Sequence, residues 1–273
     1  MTLVMAWRAE GEGVWVVSDS RLTQGQSRLT DNAAKLLEIP IKIVRGPGDA
    51  ALTMQFGFAY AGSSLVALEA YAAVLPLWSR LWLPFDTIKV RMADFASHLG
   101  FFVAAYAKSV GASTQTLPQC ECLLIGHDLE SSEIQAWRIR PVFDGPVIVP
   151  SCELLDLGSG KMEMSGSGSA FARSRLPSHE VWRREPLTFM REHLAADQQP
   201  DVGGGLQVGF AEGCGFNVLG DFVLNREAKR IDMTFRGHDF SNIGTVGPAA
   251  VLLPSVDGEI LQTFEPPPIK AID

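Results

Sequence analysis

Three residues near the start of the chain are of types that can together break an amide bond. The first is Thr2. Once Met1 is trimmed, which a small residue at position 2 permits, Thr2 carries a free α-amine beside its own β-hydroxyl. An α-amine has an intrinsic pKa of about 7.7–8.0. Near neutral pH it can take the hydroxyl proton, directly or through one water, and make a nucleophile without histidine. While Met1 remains, the same nitrogen is an amide and no base. The second residue is Asp19, in Ser18-Asp19-Ser20-Arg21-Leu22-Thr23, directly after an apolar run and so at a strand end. By itself this hexapeptide reads as a surface turn. The third is Lys35, which opens the apolar run at Leu36-Leu37. A lone lysine there reads as a solvated charge. Held against Thr2, it would lower the hydroxyl pKa, and Asp19 would keep it charged and oriented.

Other constellations fade on inspection. Gly166-Ser167-Gly168 is too short for the Gly-x-Ser-x-Gly nucleophile elbow. Gly203-Gly204-Gly205 precedes a strand instead of following one, so it is no dinucleotide or phosphate loop. His98, His127, His179, His193 and His238 show no ligand spacing, and Cys120-Glu121-Cys122 leaves one residue between the sulfurs. Zinc knuckles use roughly two to four. The four cysteines read as buried, reduced thiols, and neither a metal nor a cofactor is expected.

The elements that must position these residues follow from the apolar pattern. Leu3–Trp7 and Val14–Val17 flank Glu10-Gly11-Glu12-Gly13, which predicts a hairpin. Leu36–Val44, interrupted by Pro40, and Ala51–Tyr60 are further strands. Ser63 or Ser64 can cap a helix holding Leu65, Leu68, Ala72 and Leu75, stopping near Pro76 or a turn later. Asp86 can cap a second helix with a stripe at Ile88, Met92, Phe95, Leu99, Phe102, Val103 and Tyr106. Strands return at Cys122–Gly126 and Glu133–Ile139, with Asp128–Ser132 as the turn, and more weakly at Val147–Val149 and Leu154–Leu157. After the glycine-serine cluster Ser165–Ser169 come short helices at Ala170–Leu176 and Pro186–Ala196. The strands Leu206–Phe210, Phe216–Leu219 and Phe222–Leu224 follow, then an extended proline-rich tail at Phe264–Pro268. This order lacks strict βαβ alternation and fits an α+β chain of two sheets with helices outside them.

Composition narrows the functional classes. The 273 residues are 47% hydrophobic and 20% charged, enough apolar material for a sizeable core. A net charge of −8 argues against nonspecific nucleic-acid binding and against an anionic membrane surface. The start Met1–Trp7 has no basic residue and no long apolar run, so a cytoplasmic protein without a signal peptide or membrane span is expected.

The run Thr2-Leu3-Val4, then Gly13-Val14-Trp15-Val16-Val17-Ser18-Asp19-Ser20-Arg21-Leu22-Thr23, then Asp31-Asn32-Ala33-Ala34-Lys35-Leu36 resembles the amino end of proteasome β-subunits and their bacterial relatives of the HslV and Anbu type. Phe58–Ser63 is similar to the family's Ala-Gly turn into its first long helix. Leu123–Gly126 is similar to its central strand, Gly166–Phe171 to its Gly-Ser-Gly-Ser segment, and Gly203–Gly209 to its late Gly-Gly stretch. The likeness runs over about residues 2–225, with gaps.

That resemblance implies an N-terminal-nucleophile hydrolase with a four-layer αββα sandwich over residues 1–240 and a C-terminal extension over 241–273. Carried over, Thr2 is the nucleophile, Asp19 and Lys35 the charge pair beside it, Gly62 the oxyanion donor, and Ser167 the support of the α-amine. Thr23 and Gly62 would bind substrate backbone as an added strand. Leu22, Ala33, Leu37, Tyr60 and Ser64 would line the pocket before the scissile bond. The chain departs from the family where Pro200 and Gly203 stand at the Asp and Ser of Asp-x-x-Ser-Gly-Gly; Asp201, next door, is the available substitute. The implied activity is a threonine-type endopeptidase in a self-compartmentalised homo-oligomer, ring or helical. It would act on peptides or unfolded protein, with an ATP-dependent unfoldase as a further partner. A noncatalytic ring or scaffold subunit and a small-molecule amidase of the same class stand beside it.

Overall fold

The computed structural model describes residues 2–9, 13–25, 27–46, 50–83, 89–145, 147–158, 160–176, 182–225, 230–239, 246, 251–257 and 260–262. In chain order the first elements are β1 (Val4–Arg8), β2 (Val14–Asp19), β3 (Leu22–Gln24), β4 (Ser27–Thr30), β5 (Leu36–Val44), β6 (Leu52–Gly62), α1 (Ser64–Trp78), β7 (Leu81–Trp82) and α2 (Met92–Thr114). Then come β8 (Cys120–His127), β9 (Ile134–Asp144), β10 (Val147–Leu154), β11 (Met162–Ser165), α3 (Ser169–Arg175) and α4 (Glu185–Ala196). The chain continues with β12 (Leu206–Glu212), β13 (Gly215–Leu219), β14 (Asp221–Asn225), β15 (Arg230–Phe235), β16 (His238–Asp239), β17 (Leu252–Pro254) and β18 (Ile260–Gln262). It is a mixed α/β chain, mostly strand, with four helices among the described residues.

Two sheets dominate. One has the order β11-β1-β2-β12-β13, the other β10-β9-β8-β6-β5-β7. Their pairings are antiparallel except the short β5–β7 contact. The predicted hairpin is β1–β2, in register Val4↔Ser18. Its residues are apolar on both faces because both faces are covered. Met5, Trp7, Trp15 and Val17 pack with Ala172 of α3 and with Leu187 and Met190 of α4. The alternate residues Val4, Ala6, Val14 and Val16 pack with Leu36, Ala59, Leu123 and Ile125 of the other sheet. A third core joins the far face of that sheet, through Ile39, Phe56, Phe58 and Leu124, to Val66, Ala70 and Val74 of α1 and to Phe95, Leu99 and Val103 of α2.

Pro40 is tolerated inside β5. Tyr60 donates to Lys35 O, so odd-numbered residues of β5 bond to β6, and the nitrogen of Pro40 lies on the outer side of the strand, where no donor is required. Ser63 caps α1, accepting from Val66 N–H at 3.4 Å, and the helix runs past Pro76 to Trp78. Its buried face is Val66, Ala67, Ala70, Val74 and Trp78, while Leu65 and Leu68 are exposed.

The second helix begins later than its apolar stripe suggests. Asp86 and Ile88 lie outside the described residues; α2 starts at Met92. Asp94 accepts from Arg91 N–H at 2.9 Å, and Asp128, in the β8–β9 turn, accepts from Met92 N–H at 2.7 Å. Burial would raise the Asp128 carboxyl, but the Ser131 and Met92 N–H donors draw it below the usual carboxylate range. Two further differences concern the site. Residues after Ser20 form the β3–β4 hairpin and not a plain turn, and β11 adds an edge strand beside β1. Leu155 and Leu157 are buried outside any strand. The tail at Phe264–Pro268 lies outside the described residues.

Candidate active site

The β1–β2 register fixes the first two members. Thr2 stands just before β1 and Asp19 ends β2, so the antiparallel pairing returns the chain to the same point. Asp19 also pairs with Leu206 at the start of β12, which brings Gly203 alongside. Lys35 arrives from the other sheet, just before β5, and its carbonyl is held by Tyr60 N–H.

The structure brings all three together in the space between the sheets. Lys35 Nζ donates to Thr2 Oγ1 at 2.7 Å and to Asp19 Oδ1 at 2.9 Å. Thr2 is 1% exposed and Asp19 and Lys35 0%. Asp19 takes three backbone N–H donors besides the lysine: Leu3 at 3.0 Å, Gly203 at 3.1 Å and Arg21 at 3.2 Å. Burial pushes the Asp19 carboxyl up and is opposed chiefly by the charge of Lys35. Burial pushes the Lys35 amine down and is opposed chiefly by Asp19. A buried lysine so placed depends on its partner to hold a charge, and it points its amine at a hydroxyl.

Ser167 and Asp201 meet as well. Ser167 Oγ donates to Asp201 Oδ2 at 2.6 Å, and Asp201 is close enough to help hold Lys35 charged. Gly166, at φ +92°, packs on Thr2: a Cβ there would sit 2.0 Å from Thr2 O. Only glycine meets both demands. Gly168 N–H donates to the same carbonyl at 3.3 Å. Gly62, at φ +90°, ends β6 where a Cβ would strike Gln119 O at 2.2 Å. Ser63 N–H turns toward β8, to Gln119 O. The two-residue alternation therefore puts Gly62 N–H on the edge used by Tyr60 N–H, one step past Lys35 O.

No protein-family model and no curated protein sequence matches the chain. Among solved structures it is similar to Anbu (ancestral beta-subunit) from Yersinia bercovieri, at 16% identity over 76% of this chain and 80% of that one, with a TM-score of 0.51. It is also similar to Anbu from Pseudomonas aeruginosa, solved as a helical assembly, at 11% identity over 79% of this chain and 85% of that one, TM-score 0.54. The fold is Anbu-like.

Within this Anbu-like fold, the expected substrate residues divide. Leu37 and Tyr60 are buried in the helix-side core; Leu22, Thr23, Ala33 and Ser64 are half-buried. Tyr60 spends its hydroxyl on Ala34 O at 3.1 Å, and burial pushes that phenol well above its ordinary range. Beyond Gly62, a cleft of about 510 Å³ opens between the ends of β8, β9 and β11. Among the described residues, no cluster of three or more His, Cys, Asp or Glu is placed to hold a metal, and no helix is long and apolar enough to cross a membrane.

Two supporting residues of the Anbu-like fold escaped the sequence reading. Gln207 is fully buried; its Oε1 accepts from Lys35 N–H at 3.0 Å and Leu36 N–H at 3.1 Å, while Nε2 donates to Ala33 O at 2.6 Å. Its signal was a lone amide in the apolar run Leu206–Phe210. Arg21 is 4% exposed and bonds Asp31 Oδ1 and Asp197 Oδ1, both at 2.8 Å, and Gln199 O at 3.2 Å. The Asp31 and Asp197 carboxylates raise its already high pKa. The Arg21 bonds clamp the 197–203 segment over the end of β2, so that Gly203 N–H reaches Asp19. An arginine two residues after Asp19 was visible; its partners across the fold were not.

Proposed function

We propose that this chain is a threonine-type peptidase of the N-terminal-nucleophile class, active once Met1 is removed. The observation that carries the reading is the 2.7 Å contact from Lys35 Nζ to Thr2 Oγ1, made by a lysine whose charge depends on Asp19. Thr2 Oγ1 attacks the substrate carbonyl while the α-amine takes its proton. The oxyanion is met by Gly62 N–H. The amine then returns the proton to the departing nitrogen, leaving an ester on Thr2 that water hydrolyses by the same route. Ser167, bonded to Asp201, orients the amine. Thr23 and Gly62 hold substrate backbone, and the half-buried Leu22, Ala33 and Ser64 border a pocket for the residue before the cut, with Leu37 and Tyr60 packed behind them.

The three cores support a helix–sheet–sheet–helix layering for residues 1–240, with 241–273 as an extension. The helical assembly of the Pseudomonas aeruginosa Anbu supports a homo-oligomer here. Sequestering an N-terminal protease in such an assembly, in the cytoplasm and fed by an ATP-dependent unfoldase, keeps it from folded neighbours.

Intact mass should show a chain lacking Met1, and a threonine-directed electrophile should label it but not Thr2→Ala. Met1 retained in protein that hydrolyses peptides, or equal labelling of the variant, would overturn the reading.

A further inference from the structure

We propose that the cleft beyond Gly62 receives the departing half of the substrate, and that Glu121 selects a cationic side chain on its first residue. The proposal rests on the peptidase reading above. A carbonyl held between Thr2 Oγ1 and Gly62 N–H has two substituents left to place. The departing nitrogen must lie beside the group that protonates it, the Thr2 amine supported by Ser167. Ser167 and Gly166 are on the wall of this cleft, and Gly166 is packed on Thr2 itself. The acyl half then runs the other way, toward β3 and β5.

The cleft is built for one kind of side chain. Leu117, Pro118, Val142 and Met164 supply apolar walls for an aliphatic stem, and Glu121 stands among them. Among the described residues, both polar contacts of Glu121 fall on Oε1: Ser165 Oγ donates to it, and Arg138 Nε lies 2.7 Å away. Neither engages Oε2, and the side chain is 24% exposed. Arg138 does not cancel the charge. It is shared with Glu163 at 2.6 Å and Glu153 at 3.4 Å, one guanidinium among three carboxylates. Arg140, also on the cleft wall, lies 3.6 Å from the same Glu153. Glu121 and Arg140 are the charged ones among the described residues of the cleft wall, and Arg140 leans on Glu153, which lies outside that wall. A lysine or arginine stem along the apolar wall would bring its cation to the open oxygen, whereas an acidic residue would meet repulsion.

The test uses peptides with one fixed acyl half and lysine, norleucine or glutamate as the first departing residue, plus a coumarin amide with the same acyl half. The expected kcat/KM for lysine exceeds that for norleucine by about fivefold, the scale of a partly exposed ion pair, with glutamate lowest. Glu121→Gln should bring the lysine-to-norleucine ratio to near one. A wild-type ratio of one or less overturns the proposal on its own, whatever the variant does. So does a ratio that survives in Glu121→Gln. Failure of wild type to cleave the coumarin amide and every peptide overturns the peptidase reading instead, and the proposal with it.

Discussion

Ser167 Oγ lies 2.6 Å from Asp201 Oδ2, across 34 positions of the chain. The contact joins the turn after β11 to the segment before β12, where the family pattern places its Asp one residue earlier. Asp201 therefore reaches Ser167 although the motif is out of register. Ser167→Ala and Asp201→Ala should each lower kcat, by roughly tenfold if they orient the amine. The double variant should be little worse than either single one, with a coupling of about 1 kcal/mol in a double-mutant cycle. Steady-state kinetics of the four proteins measures it; strict additivity would separate the two residues.

Lys35→Met leaves Asp19 charged and buried without its cation. Removing one partner of such a pair costs about 3–5 kcal/mol, readable by chemical denaturation. Lys35→Met combined with Asp19→Asn should recover part of that stability, because both charges are then gone while an amide oxygen still accepts from the backbone N–H groups of Leu3, Arg21 and Gly203, yet show no turnover. Recovery of activity in the double variant would show that the pair serves the fold alone.

The depressed Lys35 pKa sets opposite signs for activity and stability at high pH. The folded chain releases this proton before the unfolded chain does at the usual 10.5. The contribution of Lys35 to stability is thus present in full above 10.5 and is lost as pH falls through the folded value. Activity needs the charged amine and should decline as pH rises through that same depressed value. A pH profile of kcat/KM with its alkaline limb below 10.5, taken with denaturation curves showing no matching loss of stability, is the expected result.

Gln207→Leu removes the acceptor for two buried backbone donors and the donor for Ala33 O. Unmet buried groups of this kind cost about 1–3 kcal/mol each, so a destabilisation of roughly 3 kcal/mol is expected in urea. The loss of activity should exceed that of a core substitution of equal thermodynamic cost, because the backbone that aims Lys35 is the part released.

Strand and helix identities were legible wherever one physical pattern dominated. The β1–β2 hairpin, β5, β6, β8 and β12 followed from apolar runs bounded by turn residues, and the α2 stripe at Met92, Phe95, Leu99 and Val103 is buried as its spacing requires. The burial of α1 was not legible. Leu65 and Leu68 looked like core, yet the face turned to the sheet carries Val66, Ala67, Ala70, Val74 and Trp78. Nor could the start of α2 be read, because part of its capping comes from Asp128, 36 residues away.

At the site the division is equally physical. The residue types were fixed by sequence: a threonine next to Met1, an aspartate closing a β2-like run, a lysine opening a β5-like one, and glycines where φ is positive. Sequence also fixed the hairpin that returns Thr2 to Asp19, because that pairing is local. What tertiary structure decided is that the lysine is buried between two sheets instead of solvated, that Asp201 meets Ser167 from outside the expected register, and that Gln207 and Arg21 hold the backbone around them. Each depends on contacts between segments far apart in the chain, and spacing along a sequence carries no measure of distance between sheets.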